Sequence, residues 1–227
     1  MMNEWNDIQS NTCLLGVDIE NGSNSKEVWT VRPLQSGDLE ELKEICHESF
    51  PIEYPNSWYQ EVLNGKLISF GISHNDKLVA LLVAEIKPIS HCNTEDRDLL
   101  TNDGLPVVYI LSLAVRQKYQ RQGLATRLLN HLFATVINRP PYPRAIYLHV
   151  LSTNSVAIKF YHKNGFSHHA TLMNYYRINN VYRDGMTYVL YTNGSHAPWS
   201  IYELCNLIAA VLCFPFRYIF KLRCFFR

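Results

Sequence analysis

The sequence predicts a single α/β domain, α+β in its strand arrangement, in which a mixed central sheet is flanked by helices. Two apolar stretches rich in β-branched residues, Val107–Val115 and Ala145–Leu151, are typical of strands buried on both faces. Each is followed by a segment whose apolar residues recur at helical spacing, and a predicted hairpin precedes them. Strands interleaved with helices in this order favour one domain of this class.

The first half of the domain is expected to supply two helices and the hairpin. Proline stiffens the apolar, aromatic loop over residues 50–55 and bars helix there, and Asn75-Asp76 suits a hairpin turn. The predicted elements are a strand around residues 28–32 that Pro33 ends, a helix over 39–46 with Asp38 or Ser36 as N-cap, a short helix over Ser57–Leu63, and hairpin strands Leu67–Ser73 and Lys77–Ile86.

The second half is expected to carry the central strands. Residues 88–104 are polar and acidic, with Glu95, Asp96 and Asp98, which predicts a surface loop. A short helix should run from Asn154 to Gly165, and Thr187–Thr192 is predicted as the last strand, with Tyr175-Tyr176 near a connection.

The length and composition agree with one globular domain and two tails. The chain has 227 residues, 47% of them hydrophobic, and its net charge of +1 gives no footprint for nucleic acid. Its six cysteines show no Cys-x-x-Cys pair and no metal-ligand spacing with histidine. They therefore predict free thiols in a reducing compartment and no metal site.

The two ends of the chain differ from the predicted domain, which spans residues 26–194. Residues 1–25 are polar, which predicts a disordered tail without a signal peptide. In residues 195–227, an apolar run too short to span a membrane precedes cations that alternate with apolar residues. This pattern predicts an amphipathic, membrane-associating segment; the alternative is a helix packed on the domain's own surface.

The loop after the strand Val107–Val115 predicts an anion site. Gln120-x-x-Gly123-x-Ala125 places small residues where a ligand can approach the backbone, and a predicted helix begins directly after it. The N–H groups of a helix's first turn favour phosphate. Arg116, Lys118 and Arg121 add positive charge. Together these features indicate a diphosphate site; the alternative is an ordinary β–α turn that contains a glycine. The spacing fits neither a Walker loop nor a dinucleotide fingerprint.

The ordered set of this loop, Asn154, Tyr161 and Gly165-Phe166 resembles the GNAT acetyltransferase superfamily over about residues 28–192. Longer blocks resemble the Golgi-associated N-alpha-acetyltransferases of the NatF type. These blocks are Phe50–Pro55, Ser57–Tyr59, Val83–Lys87, Tyr109–Leu113, Ala145–Leu151, Tyr188–Tyr191 and His196–Trp199.

The resemblance implies that acetyl-CoA is the cosubstrate and that it lies between two splayed parallel strands. It implies three groups of coenzyme contacts. Leu113, Ala114 and Val115 would hold the pantetheine arm, Arg121, Gln122, Gly123, Leu124, Ala125 and Thr126 the diphosphate, and Asn154 with Tyr161, His162, Lys163 and Asn164 the rest of the coenzyme. Tyr161 is a weaker candidate for protonating the leaving thiolate.

The resemblance also implies the reaction, which is transfer of acetyl to the α-amine of protein N-termini. The amine must be neutral to attack, and its reference pKa is about 8. Tyr109 and His149 match the family's base positions. Histidine has a suitable unperturbed pKa, whereas Tyr109 would act through an ordered water or after a downward pKa shift.

The acceptor slot and the cellular location are likewise implied by the resemblance. Glu53, Tyr54, Leu111 and Tyr176 would contact the first residues of the peptide, and an apolar slot favours Met followed by a bulky residue. The location implied is the cytosolic face of the Golgi membrane. Gln120 and Ala125 are variants of the family motif, and Met173-Asn174 is less aromatic than the family's pattern.

Two other functions stay open at this point. A lysine Nε-acetyltransferase acting on histones would share the coenzyme site, although the stiff aromatic loop over residues 50–55 favours a terminal amine. A non-catalytic membrane adaptor would keep the fold, although the presence of both Tyr109 and His149 argues against it.

Overall fold

The structure, a computed structural model, describes residues 29–198, and it confirms the predicted fold class. Seven strands form one mixed sheet in the order β1-β2-β3-β4-β5-β7-β6. The strands are β1 Trp29–Pro33, β2 Ile68–His74, β3 Lys77–Pro88, β4 Pro106–Val115, β5 Ala145–Leu151, β6 Ser167–Ile178 and β7 Val181–Tyr191. The helices are α1 Leu39–Ser49, α2 Asn56–Leu63, α3 Leu124–Val136 and α4 Ser155–Lys163.

The predicted tail at residues 1–25 and most of the predicted membrane-associating segment at 195–227 lie outside the described residues. Within residues 29–198, no helix has the length and apolar content needed to cross a bilayer.

The core lies on both faces of the sheet, as the apolar central strands predict. On one face, Leu128, Leu129 and Leu132 of α3 pack against strand residues such as Val108 and Ile146. On the other face, Leu42 and Ile45 of α1 pack with Leu81 and Val83 of β3, among others. The two layers of helices fix the ends of the central strands, where the site is built.

The hairpin formed by β6 and β7 is longer than the sequence predicts. β7 begins at Val181 instead of Thr187, and it joins β6 through Asn179 and Asn180, whose φ angles of 49° and 61° suit a type I′ turn. Tyr175 and Tyr176 therefore lie inside β6. Many residues of this hairpin are exposed and polar, so a prediction based on apolar runs does not detect the full length of its strands.

The acidic segment before β4 is only partly a surface loop. It forms short 3₁₀ turns at Ile89–His91 and Thr94–Leu99 that pack against the sheet. Asp96 is 0% exposed, so its prediction as a surface residue is wrong. The segment is anchored by apolar residues such as Ile89 and Leu99, which bring Asp96 beneath the strands.

β4 and β5 form the parallel pair at the centre of the sheet, and they separate partway along their length. Pairing runs from Val107 with Ala145 to Ile110 with Leu148. Within the described residues, no pair joins the two strands beyond this point, while β5 continues to pair with β7. We call the place where the strands separate the strand fork. This geometry matches the splayed strands that the resemblance implies.

Candidate active site

A cavity of about 680 Å³ opens at the strand fork. Residues Tyr109–Val115 of β4 form one wall and Leu148–Leu151 of β5 the other. The loop after α1, the end of β6 and the helix α4 also contribute lining residues. A cleft of this size, lined by apolar groups with a few convergent polar ones, suits a small-molecule ligand.

The free edge of β4 can bind an extended ligand as an added strand. The backbone N–H of Arg116 donates to Val79 O of β3 at 2.9 Å. Because strand residues alternate, Leu113 and Val115 direct their backbone groups to the opposite edge, where β5 has diverged. The side-chain amide of Gln120 donates to Val115 O at 3.1 Å and closes part of this edge. The predicted pantetheine positions at 113–115 therefore line the cavity.

The loop before α3 has the shape of an anion-binding nest. Arg121 and Gly123 both adopt left-handed conformations, with φ angles of 65° and 80°, and α3 begins at the next residue, Leu124. Two left-handed residues close to a helix N-terminus turn backbone N–H groups toward one point. No atom lies within 4 Å of where a Cβ on Gly123 would sit, so the approach is open. The shape of the nest suits a diphosphate, and the predicted diphosphate residues 121–126 lie outside the set of described residues that line the cavity.

Arg116 does not add charge to this nest, in contrast to the prediction from sequence. Its Nη2 donates to Glu44 Oε2 at 2.8 Å, and its Nε donates to Leu78 O at 3.0 Å. The guanidinium therefore makes its hydrogen bonds to acceptors of the protein itself. Lys118 and Arg121 remain exposed beside the loop.

At the end of β5, Asn154 and Tyr161 line the cavity, as predicted. Asn154 also caps α4, because its Oδ1 accepts the backbone N–H of Ala157 at 3.1 Å. Burial raises the pKa of Tyr161, which keeps its phenol protonated. His162 and Lys163 are exposed at the end of α4, and Asn164 follows them with its side chain donating to Phe160 O at 2.8 Å.

His149 lies at the centre of a buried polar network at the strand fork. Its Nε2 is 2.8 Å from Asp96 Oδ1, and its Nδ1 is 3.0 Å from the Tyr109 hydroxyl and 2.9 Å from the Tyr175 hydroxyl. The side chains of His149 and Asp96 are 2% and 1% exposed. Thr187 donates to the same carboxylate oxygen at 3.4 Å. A carboxylate on Nε2 favours the tautomer in which Nδ1 accepts from a phenol.

Burial also determines how the two phenols can act. It raises the pKa of Tyr109 well above the usual value for tyrosine, and it raises the pKa of Tyr175 to about 12. Burial therefore argues against a downward pKa shift at Tyr109, which is one of the two routes that the sequence left open. Both phenols stay neutral at physiological pH, so either one can donate to Nδ1 of His149, which has a single lone pair, and can pass a proton on.

The acceptor side of the cavity is aromatic. Tyr54 stacks on Trp58 with ring centroids 4.1 Å apart, and its hydroxyl lies 3.0 Å from Ser112 Oγ. A register shift between Val83 and Ala84 of β3 leaves Leu111 of β4 as the extra residue of a bulge. Leu111, Tyr54 and Tyr176 all line the cavity, whereas Glu53 is exposed and lies outside the set of described residues that do.

Sequence reasoning missed three residues of this site. Asp96 lies in a polar stretch without periodicity, and Tyr175 is directly beside the predicted Tyr176. Gly185 of β7 faces both rings: a Cβ there would lie 3.0 Å from Tyr175 Cδ1 and 3.2 Å from Tyr176 Cε2. The signal that could have found Tyr175 is its place beside Tyr176: the two rings pack edge-to-face with centroids 5.0 Å apart, and both line the cavity.

The cysteines in the described region are unsuited to nucleophilic catalysis. Burial raises the pKa of Cys46 to about 12 and raises that of Cys92 as well. Among residues 29–198, no group of three or more His, Cys, Asp and Glu side chains is placed to hold a metal ion.

Comparison with known proteins agrees with this geometry. The model of the acetyltransferase (GNAT) family matches residues 38–166, which is more than half of the chain. The chain therefore belongs to the GNAT acetyltransferase family.

Among curated relatives, N-alpha-acetyltransferase 60 of Danio rerio is 40% identical over 187 residues, covering 80% of this chain and 77% of that protein. Histone acetyltransferase MCC1 of Arabidopsis thaliana is 29% identical over 191 residues, covering 78% and 75%. The predicted GNAT membership and the resemblance to N-alpha-acetyltransferases are confirmed.

Among solved structures, Arabidopsis thaliana NAA60 is similar to this chain in two complexes. The complex with acetyl-CoA has a TM-score of 0.67 and 31% identity, and covers 73% of this chain and 99% of that one. The complex with a bisubstrate analogue has a TM-score of 0.67 and 30% identity, and covers 74% and 99%.

Proposed function

We propose that the protein transfers acetyl from acetyl-CoA to the α-amine of protein N-termini, with Met followed by a bulky or hydrophobic residue preferred. The single observation that supports it most is the Asp96–His149–Tyr109 network, which lies at the strand fork and opens into the cavity. The similarity to N-alpha-acetyltransferase 60 of Danio rerio and to the acetyl-CoA complex of Arabidopsis NAA60 supports the same reaction and cosubstrate.

Three parts of the chain fit the coenzyme. The nest at Arg121–Leu124 suits the diphosphate, the free edge of β4 at 113–115 suits the amides of the pantetheine arm, and Asn154 and Tyr161 line the far wall. Acetyl-CoA supplies a thioester that an amine can attack directly. The raised pKa values of the buried cysteines argue against a covalent acyl-enzyme on either thiol.

The polar network supplies the base for the acceptor amine. An incoming ammonium group must lose a proton before it can attack, and its reference pKa of about 8 makes this a modest step. A phenol oxygen of Tyr109 or Tyr175 accepts that proton while its own O–H proton moves to Nδ1 of His149. The carboxylate of Asp96 stabilises the imidazolium that results.

The acceptor preference follows from the walls of the slot. Tyr54, Leu111 and Tyr176 present aromatic and apolar surface, and the half-buried Phe50 packs edge-on against Tyr54. Burying an unbranched, polarisable Met side chain and a second bulky residue in such a slot is favourable, because both remove apolar area from water.

The cellular setting is part of the proposal and rests on the sequence alone. Residues 217–227 alternate cations with apolar and aromatic residues, a composition suited to the interface of an anionic membrane. The cytosolic face of the Golgi is the location implied by the family resemblance. Expressing the full chain and a variant truncated after residue 194 with a fluorescent label would test it: loss of Golgi co-localisation on truncation is expected, and equal distribution would contradict it.

The reaction is tested with purified protein and a matched pair of peptides. One peptide begins with a free Met-Leu and contains no lysine; its twin has an acetylated N-terminus and one internal lysine. We expect acetyl-CoA-dependent thiol release with the first peptide at least about 100-fold faster than with the second. Faster release with the lysine peptide would contradict the proposal.

The second candidate is a lysine Nε-acetyltransferase, favoured by the similarity to Histone acetyltransferase MCC1. A lysine amine has a reference pKa of about 10.4, so its deprotonation is harder than that of an α-amine by more than two pKa units. The aromatic loop at residues 50–55 narrows the path by which a lysine side chain would reach the site. The same pair of peptides decides between the two functions.

A further inference from the structure

Three glutamates of α1 form a stripe that ties this helix to the ends of two strands. Glu41, Glu44 and Glu48 are spaced by three and four residues, so they share one face of α1. Glu41 Oε2 accepts the backbone N–H of Leu78 at 2.6 Å, and Glu48 Oε1 accepts the backbone N–H of Gln117 at 2.7 Å. We call these three residues the glutamate stripe.

Arg116 extends the contacts of the glutamate stripe into the sheet. Its Nη2 donates to Glu44 at 2.8 Å, its Nη1 lies 3.8 Å from Glu48 Oε2, and its Nε donates to Leu78 O at 3.0 Å. Arg116 and Gln117 connect β4 to the diphosphate nest. The start of the coenzyme loop is therefore fixed by carboxylates from the helix on the acceptor side.

Glu48 is the member of the stripe that reaches both substrate sites. It is the penultimate residue of α1, and the aromatic acceptor loop begins two residues later at Phe50. Glu48, Ser49 and Phe50 line the cavity from one side, while Gln117 and Gln120 line it from the coenzyme side. Ser49 Oγ is buried and has no hydrogen-bond partner among the described residues.

We propose that Glu48 is a positioning residue that couples coenzyme binding to acceptor binding. A ligand in the nest and along β4 restrains Gln117 further, and the N–H of Gln117 holds the Glu48 carboxylate and thereby the first residues of the acceptor loop. The coupling is reciprocal, because a change in one affinity by the other ligand must be matched in reverse. The inference rests on the proposed function, since it assumes that a peptide N-terminus occupies the acceptor loop.

The coupling is measured as the ratio of peptide dissociation constants without and with saturating CoA, by calorimetry on the full chain. The probes are CoA itself and the lysine-free Met-Leu peptide. For the wild type we expect peptide affinity to rise about tenfold with CoA, within the usual range for coupled sites. Glu48→Ala should reduce this ratio to about twofold or less, while affinity for CoA alone changes by less than about threefold.

Two further variants separate positioning from folding. Glu40→Gln is the matched control on the same helix: Glu40 is 79% exposed and contacts Lys43, and its variant should keep the wild-type ratio. Glu48→Gln keeps the shape of the side chain and one acceptor oxygen, so an intermediate ratio is expected, and it decides the matter if Glu48→Ala does not fold. If Glu48 has only a positioning role, the Glu48 variants should have melting temperatures close to that of Glu40→Gln.

The results that overturn the inference are distinct from those that overturn the function. Absence of coupling in the wild type, or a Glu48→Gln ratio equal to that of the wild type, overturns the inference alone if the peptide is still acetylated. If the wild type binds CoA but acetylates no free N-terminus, the proposed function fails and the inference fails with it.

Discussion

The two halves of the β4–β5 pair have the same kind of sequence but different roles. In the paired half, Val108 and Ile146 are 0% exposed and each strand satisfies the other's backbone. In the parted half, beyond Ile110 and Leu148, the same strands face a cavity. The site forms because the pairing of β4 with β5 stops at Ile110 and Leu148. Backbone groups and side chains beyond that point are therefore free for a ligand, while the rest of the sheet stays intact.

The strand fork places the polar network at the boundary between the two halves. Tyr109 pairs with Tyr147 in the paired half, and its ring stacks on Tyr147 with centroids 4.8 Å apart. His149 is the first residue of β5 beyond the last pair. Tyr109 is therefore held rigidly by the ladder, and His149 reaches the cavity. If this comparison is right, changes in the two halves should damage different properties.

The largest effect on activity should come from His149→Ala, which removes the imidazole from the parted half of the strand pair. Without the imidazole, no group accepts the proton that the phenols pass on, and we expect kcat to fall by about 10²- to 10⁴-fold. Affinity for acetyl-CoA should change little, whereas the melting temperature should fall because the buried carboxylate of Asp96 loses its partner. The check is thiol release with the Met-Leu peptide, and His91→Ala, at an exposed histidine, is the control. Equal rates in His149→Ala and wild type would remove His149 from the mechanism.

Ile146→Ala should instead damage the paired half and stability. This side chain is fully buried against the face that carries α3, so its truncation leaves a cavity and should lower the free energy of unfolding by about 2–5 kcal/mol. Val156→Ala, at a residue that is 65% exposed, should change it by less than about 0.5 kcal/mol. Urea titration measures both. If the rate per folded Ile146→Ala molecule drops as far as that of His149→Ala, the two halves of the strand pair do not have different roles.

Gly123→Ala tests whether the nest beside the parted half binds the coenzyme. A φ of 80° costs a residue with a Cβ about 1 kcal/mol or more, so we expect KM for acetyl-CoA to rise about fivefold with a smaller change in kcat. Gly37→Ala is a matched control, because no atom lies within 4 Å of its Cβ position either and its φ lies outside the left-handed region. Equal KM values for the two variants would argue against the nest.

The smallest expected effect concerns the pH dependence of stability. The pKa of Tyr175 is raised to about 12 in the folded protein, against about 10 when unfolded. The folded state therefore holds the proton longer, and this contribution is present below pH 10 and lost as the pH rises toward 12. Between pH 9 and 11 the unfolding free energy of Tyr175→Phe should fall less steeply than that of wild type, by about 1 kcal/mol or less given the partial exposure of the ring. Parallel curves would contradict the burial effect.

The sequence predicts the elements that have a periodic or compositional signal. The runs over 107–115 and 145–151 predict strands within one residue of the observed bounds, and the small residues at 123 and 125 predict the nest before α3. Tyr109 and His149 on these two strands are nominated by the family resemblance, and the structure brings them to 3.0 Å.

What the sequence does not predict depends on contacts between distant residues. Where β4 and β5 part is a matter of register and of the bulge at Leu111, which no local pattern encodes. Asp96 is 53 residues from His149, in a polar stretch whose burial is decided by apolar anchors elsewhere in the segment. From the sequence, Arg116 is expected to add positive charge at the phosphate site, but in the structure its guanidinium pairs with Glu44 of α1.

The most direct test of the central claim is a double-mutant cycle between His149 and Asp96, read as kcat with the Met-Leu peptide. If Asp96 acts only by orienting His149 and stabilising its imidazolium, Asp96→Asn alone should cost about 10- to 100-fold, and the double variant with His149→Ala should be no slower than His149→Ala alone. Multiplicative losses in the double variant would show that the two residues act independently and would contradict the network at the strand fork as the catalytic base.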